Sequence, residues 1–416
     1  MGNGNGVDWA NAYTNLPSNL MRGDTYYIAG GCYGPQQLDA PNDGRIITLM
    51  RATSAQHGPT NGWSNNMITN ATRFGSVEIS TANWLINGAT GGGPGSWESG
   101  FGFVTTNGIA TNGFKDLVIS APVTNITVEH FDMANAGRFT TNNNQDCIYT
   151  LSTVTNFTLR YCFLHDVCRC QILTAGDCDK WLIEYCDFAR NGPAGDGIHK
   201  EAWSGQDEND VTIRYCLFKD ISDTAVLALV NGAGMAANWS IYGNVFVDTG
   251  LPGVQVSYLL EVKYASPTFI TASNWLFYNN DVINYNVGNP NNNVGLRLED
   301  ATNCQAYDNL FYNNYGDGVE YYAGIAHDFN WYDDNFTDPV EPNGQVATTN
   351  LFANWQSGDY RLTADTADGI SLPSPFNVDP SGNTRGVDGY WDRGAYQATG
   401  AIVTIQGPPT SLTVVP

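Results

Sequence analysis

Positive charge is scarce in this chain: 18 Lys plus Arg stand against 41 Asp plus Glu, a formal net charge of −23 at pH 7. So acidic a molecule is repelled by nucleic acid and by anionic membrane surfaces, which argues against both as partners. The same imbalance suits solubility or cation binding. Long apolar runs are also missing, and no stretch approaches the roughly twenty residues of a membrane span. The opening MGNGNGVDWA has neither the basic nor the apolar region of a signal peptide, so a mature domain with an added initiator Met is expected. Cysteine is present but odd in number, nine, so the thiols cannot all pair within the chain. Cys168-Arg169-Cys170 lacks the Cys-x-x-Cys spacing of a zinc site. A Ser-His-Asp constellation, a phosphate-cradling loop and a dinucleotide fingerprint are absent as well.

What the chain has instead is a phrase written seven times between Asn125 and Asn309: NITVEHF, NFTLRYCF, KWLIEYCDF, DVTIRYCLF, NWSIYGNVF, NWLFYNNDV and NCQAYDNLF. Each copy alternates apolar and polar residues by two, closes on a turn residue and reopens on an apolar side chain, usually aromatic. The turn residues Cys162, Cys186, Cys216, Asn244, Asn280 and Asn309 are spaced 24, 30, 28, 36 and 29 residues apart. A strand-rich period in this range predicts a solenoid whose rungs bury their apolar faces on one another. Helical repeats would place apolar residues at i, i+3, i+4 and i+7, and these phrases do not. Three cysteines in one column cannot all pair, so Cys162, Cys186 and Cys216 are expected as a buried stack. Cys147, Cys168, Cys170 and Cys178 are the better disulfide candidates.

The phrase resembles the coil repeat of right-handed parallel β-helices of the pectate-lyase-like superfamily, over roughly Tyr26 to Tyr322. That resemblance implies an all-β fold, a right-handed parallel β-helix with a ladder of stacked turn asparagines. Near the end, Asp379, Gly382, Arg385, Asp388, Gly389, Asp392, Gly394, Ala395 and Tyr396 match the pattern D-x-x-G-x-x-R-x-x-D-G-x-x-D-x-G-A-Y. This is similar to the closing segment of secreted bacterial β-helix proteins of the choice-of-anchor type. It implies an irregular C-terminal capping segment and a secreted or cell-surface, bacterial location.

Four stretches follow. Residues 1–34 are expected to form an N-terminal cap and first strand, with Trp9, Ala12 and Leu16 on one face of a short helix. Residues 35–322 are the parallel β-helix, its early rungs irregular and its most flexible loop Gly88 to Gly100. Residues 323–397 are C-terminal loops and a capping rung. Residues 398–416 are a linker into a further module.

Inward side chains of a solenoid are committed to packing, so chemistry is sought in outward columns. One column, Glu129, Arg160, Glu184 and Arg214 continuing as Tyr242, Tyr278 and Tyr307, is expected to be a structural ladder of exposed ion pairs and rings. Trp181, Trp239 and Trp275 are its inward counterparts. A second column lies on a later strand of each rung, with Ile172, Ile198, Leu260, Val262, Leu296 and Leu298 inward. Alternation then turns Arg169, Gln171, His199, Glu201, Trp203, Glu261, Lys263, Arg297 and Glu299 outward, with Ala228 leaving room between them. Lys200 falls inward in that scheme, which suggests a bulge. Lys263 is one of only five lysines and His199 one of five histidines, so their gathering here is notable. The competing reading is a second ladder, Glu261 with Lys263 and Arg297 with Glu299.

Two chemistries suit the set. A polysaccharide lyase neutralises a uronate carboxylate, removes the adjacent proton and protonates the leaving oxygen. His199, Glu201, Lys263 and Arg297 are the catalytic candidates. Arg169, Trp203, Glu261 and Glu299 are the substrate-binding ones, and Ca²⁺ could bridge the acids. The set is similar to alginate-lyase-type sites on this fold. A glycoside hydrolase would instead pair two carboxyl groups, Glu201 and Glu261, or one of them with Asp146 or Asp196. DGIHKEAW resembles polygalacturonase phrases without that family's paired aspartates. A non-catalytic glycan-binding adhesin, with Trp203 and tyrosines as stacking platforms, is the third reading. The expected partner is an acidic polysaccharide, uronate-containing or sulfated, with β-elimination slightly preferred, and the protein is expected to be a monomer.

Overall fold

The computed structural model describes residues 4–105, 115–134, 145–192, 200–230, 236–254, 258–264, 272–285, 294–314, 318–333 and 339–398. Its strands form three long sheets. The first has 11 strands, from Thr25–Ile28 to Ile325–Asp328; the second has 12, from Gly31–Tyr33 to Gln345–Val346; the third has 10, from Gln36–Leu38 to Val319–Tyr321. Each rung contributes one strand to each sheet in turn and pairs in parallel with the rung above and below. This is a parallel β-helix. Its coils start at Thr25; through the early rungs short strands such as Val77–Ile79 and Trp84–Asn87 take their places in the sheets, with long loops between Arg51 and Thr72 and between Asn87 and Phe103.

The repeated phrase is the strand of the first sheet. Its period of two sends Phe157, Trp181, Val211, Trp239 and Trp275 inward in one column and Leu159, Ile183, Ile213, Ile241 and Phe277 in the next. The phrase ends where the backbone turns through the left-handed region at Tyr161, Tyr185 and Tyr215, with φ of 54°, 54° and 57°. The next residue stacks from rung to rung. Asn244, Asn280, Asn309 and Asn330 each donate Nδ2 to a backbone carbonyl of the preceding rung. The Oδ1 atoms of Asn280, Asn309 and Asn330 each accept a backbone N–H and the amide of the asparagine before, all at 3.0 Å or less. The ladder therefore runs one rung past Tyr322, where the sequence pattern fades, because Asn330 still meets its geometry after a shorter coil.

Cys162, Cys186 and Cys216 hold the same column earlier, each thiol donating to a carbonyl two residues back at 3.3–3.4 Å. All nine cysteines are free thiols, and eight are buried. The expected disulfides among Cys147, Cys168, Cys170 and Cys178 do not form. These thiols lie separately in the core and at its corner, bonded to Met133 O, Glu201 and Gly176 O in three of the four cases.

At the N-terminus the expected helix is a single 3₁₀ turn, Trp9–Asn11, capped by the Asp8 carboxylate on the Asn11 N–H at 2.9 Å. The Gly, Asn and Pro around it are poor helix formers, which stops it there. The C-terminal segment caps a side of the coil. Leu351, Phe352, Tyr360, Leu362, Ala395 and Tyr396 pack on Leu217, Val245, Val247, Ile283, Leu310 and Trp331, outward residues of the second sheet. Two buried aspartates anchor it. Asp281 accepts the Ala395 N–H at 3.0 Å and Asp308 the Ile370 N–H at 2.9 Å. Gly394 is required here: a Cβ on it would lie 2.2 Å from the Asp281 carboxylate, and its φ is +92°.

Candidate functional site on the third sheet

The three outer faces are not equivalent. From the strand Val154–Arg160 onward the first and second sheets are joined by two residues per rung, Tyr161-Cys162 or Tyr185-Cys186 for example, too few to build a groove wall. The second sheet is covered along much of its length by the C-terminal segment. Connections into and out of the third sheet are longer, from Val247 to Leu260, Ile283 to Val294 and Tyr264 to Ala272. Long connections on one side of a solenoid are where binding grooves form.

Toward its N-terminal end this sheet gathers Lys115, Asp146 and Arg169. Lys115 and Asp146 open neighbouring strands directly opposite each other, and their side chains bond. Arg169, just before the strand Ile172–Thr174, clasps the same carboxylate through Nε at 2.8 Å and Nη2 at 2.5 Å. The Cys170 N–H adds a bond at 3.3 Å. Asp146 is fully buried, whereas the Lys115 and Arg169 side chains keep 10% and 17% of their surface in solvent, so the cations form the outer layer. Burial lowers the Lys115 pKa, outweighing the pull of Asp146. Burial also opposes the Arg169 charge, but the Asp146 bonds prevail and its pKa is raised. The Lys115 ammonium sits 5.0 Å from the Tyr149 ring centroid.

Behind this pole lie Lys200 and Glu201, each only 2% exposed. Lys200 donates to the Cys168 carbonyl, and Glu201 accepts the Cys170 thiol at 3.5 Å. The expected strand GIHKEAW is displaced: the strand is Trp203–Gln206, and Trp203 pairs with Ile172. Lys200 and Glu201 therefore occupy the connection leading into it. Trp203 faces inward, 1% exposed, its ring 5.1 Å from both Trp181 and Trp239, so it is core and not a sugar platform. Gln171, expected outward, is also buried, its amide bonded to the Ala189 carbonyl. His199, Ile198 and Asp196 lie outside the described residues, as does the Ala228 side chain.

Lys263, Arg297, Glu261 and Glu299 come together on the same sheet, toward its other end. Glu261 and Arg297 are direct neighbours across two strands. The buried Glu261 carboxylate takes Lys263 at 3.1 Å and Arg297 at 3.1 Å, and Arg297 reaches Glu299 at 3.4 Å. The ladder weighed as the competing reading is thus present, with Glu261 shared between two cations. From the Arg169 rung to the Arg297 rung is four strand spacings, about 19 Å. The catalytic candidates Glu201, Lys263 and Arg297 do not converge on one reacting bond.

The second sheet carries a different charged network. His165 bonds Asp132 at 2.8 Å and Asp166 at 2.7 Å; Arg190 bonds Asp166 and Glu98; Lys219 bonds Glu98 at 2.5 Å. Burial disfavours the His165 charge, yet its two aspartates raise the pKa to about 9. Glu98, from the loop expected to be flexible, is thereby strapped to the sheet.

No family model and no curated protein matches the chain. Distant solved structures are similar to it. The PL6 family alginate lyase AlyGC is similar at 12% identity with a TM-score of 0.35, and a point mutant of it with 0.41. The Dettilon tailspike protein is similar at 12% identity with a TM-score of 0.40. The match covers 80% of this chain but 51–52% of the lyase, and 78% of this chain but 60% of the tailspike, so the chain spans about half the lyase's length.

Among the described residues one carboxylate group could share a cation: Asp365, Asp388 and Asp392, in the C-terminal segment and away from the third sheet. Asp392 there already accepts the Thr366 and Ala398 N–H groups and the Gln397 amide. The glutamates expected to hold Ca²⁺ are engaged by cations or by a thiol.

The sequence reasoning passed over Lys115 and Tyr149. The available signal was scarcity, since Lys115 is another of the five lysines and opens a strand of the same sheet.

Proposed function

We propose that the chain cleaves an acidic polysaccharide by β-elimination along the outer face of the third sheet, with the chemistry at Lys115, Asp146 and Arg169. The observation that carries this reading is the meeting of two cations on one buried carboxylate, in a chain with so few cations. Arg169 is held rigid by its fork on Asp146 and suits a uronate carboxylate, whose charge must be neutralised before the neighbouring proton can leave. Lys115, with its pKa lowered by burial, is a candidate base, and the adjacent Tyr149 hydroxyl a candidate acid for the leaving oxygen. Asp146 positions both cations. Hydrolysis is less well supported, because Asp146 and Glu201 are buried and already bonded.

The test is a panel of alginate, pectate, ulvan, glucuronan, fucoidan and carrageenans. It is followed by near-ultraviolet absorbance of the unsaturated uronate and, in parallel, by new reducing ends. Both signals on one polymer support elimination. Reducing ends without absorbance would replace it with hydrolysis, and binding without either signal would favour a glycan adhesin.

A further inference from the structure

The C-terminal end of the same face is built differently. Arg297 stands between two tyrosines on the rungs before and after it, its guanidinium 5.5 Å from the Tyr258 ring centroid and 5.6 Å from that of Tyr322. Arg297 thus links three successive rungs. The guanidinium is further held by Glu261 and Glu299, and Lys263 leans on Glu261 with 38% of its side chain in solvent. Two acids and two bases close the charge locally, and what remains at the surface is part-exposed tyrosine ring beside an ammonium and a carboxylate. Aromatic faces with a few fixed polar groups are what a sugar ring requires, its C–H face on the aromatic and its hydroxyls on the polar groups.

We infer that Tyr258, Tyr322, Lys263 and Glu299 form a distal sugar-binding subsite, with Arg297 as its positioning residue, and that the substrate is a chain long enough to span both ends. This rests on reading the face as a polysaccharide groove. The two ends divide the work. Lys115 and Arg169 hold an anionic group through charge, which salt screens. The distal subsite holds a sugar through stacking and hydrogen bonds, which salt screens little. The separation of about 19 Å means that a short oligosaccharide cannot reach both.

The experiment measures the affinity of the purified protein for oligosaccharides of graded length, from disaccharide to octasaccharide, prepared from whichever polymer in the panel binds. The expected result is a step of the order of a hundredfold once the chain reaches the second subsite, as for two linked contacts. The ratio of long-chain to short-chain affinity should survive high salt. It should collapse toward one in Tyr322→Ala and Arg297→Gln, with Arg297→Lys retaining part of it because the charge remains. A ratio unchanged in both variants, or no step in the unmodified protein, overturns the inference. The two proposals fail separately. A length step without cleavage keeps the subsite and removes the lyase; cleavage without a length step keeps the lyase and removes the subsite.

Discussion

The outer faces of the first and third sheets carry the same kinds of charge at different depths: the Arg160 and Arg214 side chains keep 33% and 29% of their surface in solvent, those of Lys115 and Arg169 10% and 17%. On the first sheet Glu129, Arg160, Glu184 and Arg214 alternate rung by rung, with Arg160 on Glu129 and 3.6 Å from Glu184, and Arg214 on Glu184 at 2.6 Å. Arg214 then passes to the Tyr242 hydroxyl at 3.0 Å, where the rings take over. Each charge finds an opposite one at the strand spacing, and the ladder closes on itself. On the third sheet Lys115 and Arg169 share the single carboxylate of Asp146. The more exposed ladder serves the coil; on the reading proposed above, the more deeply set cations on the fully buried Asp146 serve a ligand.

That contrast can be broken, and the largest effect should fall on turnover. Lys115→Met or Arg169→Ala is expected to lower the rate on the true substrate by roughly 10²- to 10⁴-fold, the usual scale for a lost proton-transfer or orienting group. Arg160→Met should leave the rate unchanged. Equal losses for all three would erase the distinction between the faces.

Stability comes next. Asp146→Ala strands two half-buried cations and should cost about 3–5 kcal/mol in denaturant unfolding. In Arg160→Met the Arg160 side chain is 33% exposed, and the loss should be about 1 kcal/mol or less. A small cost at Asp146 would mean that its cations are solvated after all.

The asparagine ladder supplies a purely structural reference. Asn280→Ala leaves buried partners on both neighbouring rungs unsatisfied, and about 1–3 kcal/mol of stability should go for each such group, without effect on KM.

The gentlest test is pH, and it probes the second sheet. Burial raises the carboxyls of Asp281 and Asp308, which anchor the C-terminal segment, to about 8. Their ordinary value is near 4, so their contribution is complete in acid and drains away as pH rises through about 8. His165, against the cost of burial, is lifted by its aspartates to about 9 from an ordinary 6.5. Its contribution is full below pH 6.5 and is lost as pH passes 9. The melting temperature should therefore decline from mildly acidic pH toward alkaline pH. Asp281→Asn should flatten the Asp281 part of that slope; an unchanged slope would assign it elsewhere.

The architecture was legible because a solenoid asks the same thing of every rung. Stacked strands need apolar residues at every second position, and stacked turns need a residue that fits its own copy above and below, so the pattern recurs in the chain. The first-sheet ladder was legible for the same reason. The third sheet was harder. WSGQ has almost no apolar alternation, while GIHKEAW just before it has some, and the period alone does not say where a strand begins. Reading that stretch as the strand turned Trp203 outward and placed Glu201 on the surface; the registered pairing of Trp203 with Ile172 reverses both.

By itself the sequence determined the coil, its inward columns, its turn ladder of asparagine and cysteine, and the neutral ion-paired face, since each is a local requirement repeated along the chain. The tertiary structure alone decided that Lys115, Asp146 and Arg169 meet, that Arg297 stands between two tyrosines, and that these two places lie four strands apart. Those contacts join residues from different rungs that obey no common period. Only the rung-to-rung register, set by the packing of the whole core, brings them together.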